Sequence, residues 1–293
     1  MRRSIVFLLL SLLFLPACGP PRQDRIIIGS KNFTEQSVLG EIFAQRLEAK
    51  TKLHVERRFY LAGTFICQQA MLSGRIDLYP EYTGTALTAI LKEKPQGSSQ
   101  DVYQQVKSQY ERRFGFEVGP PLGFNDTFAI EIRGGDARRL QLQTISDAAQ
   151  YTPQWRPGFG YEFTERPDGY KGLVATYGLR FAAQPRIMDL GLLARALQDK
   201  QVDLIAGNTT DGLIPALDLF VLRDDKNYFP PYEAVAVMRG AAIARHPEVK
   251  QALDELAGKI SDEEMRELNY AVDGQHRDVK DVVREFLRRK GLE

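Results

Sequence analysis

Three histidines and two cysteines are the residues of this 293-residue chain best suited to nucleophilic, acid–base or metal chemistry. Their spacing assembles none of it. His54, His246 and His276 stand apart among charged residues and read as solvated side chains. No Cys or His cluster has metal-ligand spacing, so neither a metal nor a cofactor is expected. There is no Walker phosphate loop, no G-x-S-x-G elbow and no complete dinucleotide fingerprint. Gly158-Phe159-Gly160 is a bare G-x-G and indicates only a turn. The expectation is therefore a protein that is not an enzyme; an unmarked carboxylate pair is the one catalytic alternative that spacing leaves open. What remains is binding. Lys31 follows a β-branched run and stands just before a helical pattern, and Arg166 lies in a turn beside Pro167-Asp168-Gly169. Cations near a helix N-terminus make an anion site.

The elements that must position these residues alternate between strand and helix patterns. Arg25 to Ile28 is a short β-branched strand ending at Gly29-Ser30. From Thr34, residues Val38, Leu39, Ile42, Phe43 and Leu47 fall on one helical face. A second strand is expected around Leu53, Val55 and Phe59, a helix from Thr64 to Ser73, and a third strand from Ile76 to Tyr79, ended by Pro80. Val102, Val106, Tyr110 and Phe114 mark another helix. In the second half, Arg186–Met188 and Val202–Ile205 read as strands around a helix from Leu190 to Lys200. The last 45 or so residues are helical, with Pro247 in a first turn, a capping box at Ser261–Glu264 and an apolar stripe of Val279, Val282, Val283 and Phe286. Such alternation predicts an α/β fold with mainly parallel sheets covered on both faces. Gly74–Tyr79 also echoes Lys200–Ile205, each piece following a helix and leading into a polar loop. If two similar lobes present those loops at strand carboxyl ends, Tyr82 and Asn208 face each other across one cleft.

The chain begins like an exported protein. Arg2 and Arg3 precede an apolar run from Ile5 to Leu15 that is shorter than the ~20 residues of a membrane span. Residues 1–17 read as a signal peptide and 18–24 as a tether. Its loss removes two of the 39 basic residues and none of the 38 acidic ones, a formal charge of −1. A near-neutral chain without a basic tract argues against nucleic acid as partner. Of the two cysteines only Cys67 follows the leader and Cys18, and it reads as a small buried apolar residue. The core must hold without a disulfide, as about 275 residues in two domains can.

Leu15-Pro16-Ala17-Cys18 resembles a bacterial lipobox, which implies lipidation of Cys18 and a lipid-anchored, extracytoplasmic protein. Several further strings resemble the substrate-binding proteins of glycine betaine/choline (osmoprotectant) ABC transporters. They are Gly29-Ser-Lys-Asn-Phe-Thr-Glu-Gln36, Gly74-Arg-Ile-Asp-Leu-Tyr-Pro-Glu-Tyr-Thr-Gly-Thr85, Asn125-Asp-Thr-Phe128, Glu165-Arg-Pro-Asp-Gly169, Thr210-Asp-Gly212 and Phe229-Pro-Pro-Tyr-Glu-Ala234. The first, second and last are specific; the others are short. The resemblance implies a two-lobed periplasmic-binding-protein-like (type II) fold with two crossing segments. Lobe one is then 25–125 plus 229–293, and lobe two is 126–228. It also implies a monomer that delivers its solute to an ABC permease with a separate ATPase. A receptor subunit sensing a related betaine is the alternative.

The same resemblance assigns the site. Family members hold a quaternary ammonium in an aromatic cage, because a trimethylammonium group has no N–H to donate and is held by ring faces worth ~0.5–2 kcal/mol each once desolvated. Tyr82 and Tyr232 match cage positions, and Phe128 falls where the family often has tyrosine. The ring face is expected to matter more than the hydroxyl. Asn208 falls where many members carry a further cage tyrosine, which leaves one wall open; Phe163 and Tyr161 are the aromatics available to close it. Asp126 would add negative charge near the cation. Lys31 and Arg166 match the residues that grip a betaine carboxylate, with Thr85 as a further donor. Such a pair disfavours choline, which has no carboxylate, and favours a zwitterion such as glycine betaine, carnitine or ergothioneine.

Overall fold

The computed structural model describes residues 24–293. The expected leader, tether and lipidated Cys18 lie outside the described residues, apart from Asp24. Along the chain come β1 (Arg25–Lys31), β2 (His54–Ala62), β3 (Leu78–Tyr82) and β4 (Phe116–Val118). Then follow β5 (Phe128–Arg133), β6 (Pro157–Phe159), β7 (Arg186–Ile187), β8 (Leu204–Asn208) and β9 (Leu219–Leu222), and finally β10 (Ala234–Arg239). They form two five-stranded sheets, ordered β2-β1-β3-β10-β4 and β7-β6-β8-β5-β9.

The two sheets have one plan. In each, two parallel pairings are followed by two antiparallel ones. The sheets are thus mixed rather than mainly parallel, for a topological reason. β5 and β10 are both entered after the chain has crossed from the other sheet, so they start at the end where β8 and β3 stop: Phe128 pairs with Asn208, and Ala234 with Tyr82. The echo between Gly74–Tyr79 and Lys200–Ile205 extends to side chains. Asp77 accepts from the Ile27 N–H and pairs with Arg239; Asp203 accepts from the Arg156 N–H and pairs with Arg133.

Pro80 does not end the third strand but lies inside it, opposite Ala236. Bonds to the β10 side involve the odd-numbered residues: Thr83 N–H reaches Glu233 O, and Arg239 N–H reaches Asp77 O. Pro80 therefore turns its nitrogen to the other edge, beyond the β1 pairing at Leu78, where the missing N–H costs no ladder bond. Gly158 likewise lies in β6, where its bare Cα lets Val202 approach, so the G-x-G is not a turn.

Helix α1 (Thr34–Lys50) buries Val38, Leu39, Ile42, Phe43 and Leu47 as the pattern required. The buried Arg46 guanidinium donates to Ala252 O and Leu292 O and pairs with Glu255, tying the C-terminal helices to this sheet. Helix α2 (Thr64–Leu72) follows β2. The Ser261–Glu264 capping box is formed. Cys67 is buried, and burial pushes its thiol up to about 12. His246 is buried rather than solvated, at the start of the helix Pro247–Asp254.

Glu131, in β5, is fully buried, and neither carboxyl oxygen has a hydrogen-bond partner. Burial, and then nearby Asp211, hold its carboxyl well above the usual range. A carboxyl whose folded pKa is raised contributes stability below its unfolded value of ~4.3, lost as pH rises through the folded value. Glu131→Met should therefore raise Tm at pH 8 by roughly 2–12 °C, from the ~1–3 kcal/mol cost of an unsatisfied buried group, and much less at pH 4.5. Thermal scans at the two pH values check this; equal shifts would contradict it.

Candidate functional site

A cavity of about 610 Å³ lies between the two sheets, and Lys31, Tyr82, Thr85, Asp126, Phe128, Arg166, Asn208 and Tyr232 all line it. Most arrive from a strand end or a crossing; Thr85 stands in the short helix Thr83–Thr85 after β3, and Arg166 follows the helix Tyr161–Glu165. Lys31 closes β1, Tyr82 closes β3 and Asn208 closes β8. Phe128 opens β5 after the first crossing, and Tyr232 lies on the second. The crossings pair with each other: Asn125 bridges Glu233, the Tyr232 N–H donates to Asn125 Oδ1 at 2.6 Å, and the Asp126 N–H donates to Tyr232 O at 3.1 Å.

The aromatic side is dense. Phe128 lies 5.7 Å from Tyr232 at 77°, 4.8 Å from Phe163 and 5.6 Å from Phe229. Phe33 stacks on Tyr82 at 6.4 Å. Phe163 is buried and lines the cavity, whereas Tyr161 also lines it but is largely exposed. Of the two aromatics named for the open wall, Phe163 is the one already packed on Phe128.

The cationic side is not separate from the aromatic one. The Lys31 ammonium sits 4.9 Å from the Tyr82 ring centroid, and the Arg166 guanidinium 4.8 Å from that of Phe128 and 5.9 Å from that of Tyr232. Neither cation is bare. Lys31 pairs with buried Glu81, which also accepts from the Thr64 and Tyr79 hydroxyls. Arg166 donates Nε and Nη2 to the two oxygens of Asp168, at 2.9 and 2.5 Å. Burial opposes charge on both partners, but their mutual attraction prevails: the Arg166 pKa is raised and that of Asp168 lowered. The positive charge expected to disfavour choline is therefore largely matched by the protein's own carboxylates.

Both cage tyrosines use their hydroxyls. Tyr82 donates to Glu35 at 2.6 Å and Tyr232 to Asp168 at 2.6 Å. Burial drives both phenol pKa values far up, so each is a firm donor. The hydroxyls, expected to matter less than the ring faces, thus have a task of their own, since each satisfies a buried carboxylate.

Asp126 is not a plain negative charge. Thr210 Oγ1 lies 2.5 Å from Glu35 and 2.8 Å from Asp126. A hydroxyl has one proton to donate, so one of these contacts is made by a carboxyl proton. Glu35 already accepts from Tyr82 and Asn269. Thr210 donating to Glu35, and a protonated Asp126 donating to Thr210, satisfies the set. Burial, and for Asp126 also the neighbouring Glu35, raise both pKa values in agreement.

Sequence reasoning did not assign Glu35, Glu81, Asp168 or Thr210, although each stands within a string that carried the resemblance. Their signal was position: a carboxylate or hydroxyl one or a few residues from each assigned side chain.

The family described as the substrate-binding domain of ABC-type glycine betaine transport systems matches residues 24–289. The carnitine transport binding protein OpuCC of Listeria monocytogenes serotype 1/2a (strain 10403S) is 36% identical over 97% of this chain and 94% of its own length. The ergothioneine transport permease/ergothioneine binding protein EgtU of Helicobacter pylori (strain G27) is 35% identical over 98% of this chain, which spans 52% of that relative. A crystal structure of a glycine betaine/carnitine/choline ABC transporter protein covers 91% of this chain and 99% of its own, with 31% identity and a TM-score of 0.73. With its two sheets and the cleft between them, the chain belongs to the family of substrate-binding domains of ABC-type glycine betaine transport systems.

Proposed function

We propose that this protein captures a quaternary ammonium zwitterion outside the cytoplasm and delivers it to an ABC permease driven by a separate ATPase. The observation that carries the ligand class is the interleaving of ring faces with Lys31 and Arg166 in one cavity. A ligand whose cation and carboxylate lie a few ångströms apart meets both at once. Its trimethylammonium rests on Tyr82, Phe128 and Tyr232, and its carboxylate takes the remaining protons of Lys31, the free Nη1 of Arg166 and the Thr85 hydroxyl. Glycine betaine and carnitine have this form. Asn208 leaves space and an amide where a ring would close the cage, which suits a betaine with a further polar group; the relationship to an ergothioneine binding protein supports ergothioneine as the second candidate. Choline is disfavoured only by the loss of these donors' partner.

In this reading lobe one is 25–125 plus 229–293 and lobe two is 126–228, and closing of the lobes on the solute makes the form that the permease accepts. Calorimetric titration with glycine betaine, carnitine, ergothioneine, proline betaine and choline tests the proposal. Tightest binding by one of the zwitterions supports it; binding of none of the five, or tightest binding by choline, contradicts it. Anchoring through Cys18 belongs to the same proposal. Cys18→Ser should move the protein from the membrane to the soluble fraction with its affinity unchanged, and unaltered fractionation would remove the anchor.

A further inference from the structure

Helix α2 starts without a cap of its own: its N-cap is Gly63, and no side chain from the same segment accepts its first N–H groups. Those donors are met from the other lobe. Glu162, in the short helix Tyr161–Glu165, accepts from the Thr64 N–H at 2.9 Å and from the Phe65 N–H at 3.1 Å, one through each carboxylate oxygen. An anion there also faces the positive end of the helix dipole. Gly63 is shaped for this contact. A Cβ on it would lie 2.0 Å from the Glu162 carboxyl carbon, although its φ of −81° is open to any residue. The carboxylate thus occupies the volume of the missing side chain.

We infer that Glu162 is a positioning residue that latches the lobes together by capping α2 across the cleft, with Gly63 as its seat. This rests on the reading of the protein as a two-lobed solute receptor. Glu162 lines the cavity, but both its oxygens are directed to the α2 backbone. It acts by stabilising the joined arrangement that any solute needs. It also fills the anion site at the start of α2, so the ligand carboxylate is left to Lys31 and Arg166. When the lobes part, two charge-assisted hydrogen bonds are lost and the N–H groups return to water.

The test is a double-mutant cycle on Glu162→Ala and Gly63→Ala, read by calorimetry with glycine betaine and carnitine and by small-angle scattering of the ligand-free protein. Each single variant should weaken both ligands by the same factor, about 10-fold, from the loss of a charge-assisted cap, and should enlarge the ligand-free radius of gyration. In the double variant the Gly63→Ala penalty should vanish, because the methyl group then meets no carboxylate. Additive penalties would overturn the seat. A Glu162→Ala loss that differs between the ligands would make Glu162 a ligand contact instead of a latch. An unchanged ligand-free radius would overturn the latch. The scattering arm reads closure without any solute, so it stands even if the ligand class is wrong.

Discussion

Tyr232→Ala should raise the dissociation constant for glycine betaine by about 100-fold or more. Two losses combine. The ring face contributes ~0.5–2 kcal/mol to a desolvated cation, and without the hydroxyl Asp168 loses a donor that helps to hold the Asp168–Arg166 pair in place, so that the grip of Arg166 on the ligand carboxylate, worth ~1.5–3 kcal/mol, is weakened. Tyr232 is 2% exposed, so water does not replace the ring, and its hydroxyl is held 2.6 Å from Asp168. Tyr232→Phe keeps the face and loses the bond, and should fall about 10-fold. Tyr82 should follow the same order through Glu35. Calorimetry on the paired variants separates face from hydroxyl. An Ala variant within about 3-fold of the native protein would place the site elsewhere.

Arg166→Ala should weaken glycine betaine about 10- to 150-fold more than choline, because only the betaine has a carboxylate to lose a charge-assisted bond. The same change strands Asp168, which is 6% exposed and relies on Arg166 for its lowered pKa. A carboxylate with a lowered folded pKa contributes stability above its unfolded value of ~3.9, lost as pH falls through the folded value. The variant should therefore unfold at a lower temperature than the native protein at pH 7, and the difference should shrink as pH drops below ~4. Titrations with the two ligands and thermal scans at pH 7 and pH 3 check both arms. Equal losses for betaine and choline would mean that Arg166 does not face the carboxylate.

Much of the fold was legible because its signals are local. The 3.6-residue stripe of α1, the Ser261 capping box and the stripe at Val282, Val283 and Phe286 depend on near neighbours alone. Strand direction does not. The reversal of β5 and β10 follows from where the chain crosses between sheets, and strand patterns look the same in either direction. Pro80 misled for a related reason: whether a proline ends a strand depends on which edge its nitrogen faces.

At the site, the eight residues assigned from the sequence line the cavity, but Phe65, Ile66, Met188 and Leu190 line it too and carried no signal, and the buried partners were not readable. Tyr82, Arg166 and Asp126 stand in recognisable strings. That Glu35, 47 residues from Tyr82, accepts its hydroxyl is a matter of tertiary contact. So is the seat of Glu162 on Gly63, 99 residues away. Charge was misjudged in consequence. Two lysine- and arginine-centred grips read as free cations, whereas Glu81 and Asp168 neutralise them; one aspartate read as an anion, whereas its crowding with Glu35 keeps a proton in the pair.

The central claim is that the cavity recognises a permanent cation together with a carboxylate. It is tested most directly by calorimetric titration with glycine betaine and with 3,3-dimethylbutanoate, the same molecule in shape and carboxylate but with carbon in place of the quaternary nitrogen. Loss of two or more cation–π contacts at ~0.5–2 kcal/mol each predicts that the carbon analogue binds at least about 5-fold, and up to about 1000-fold, more weakly. Equal affinity for the two would show that the rings supply only apolar surface and would contradict the account.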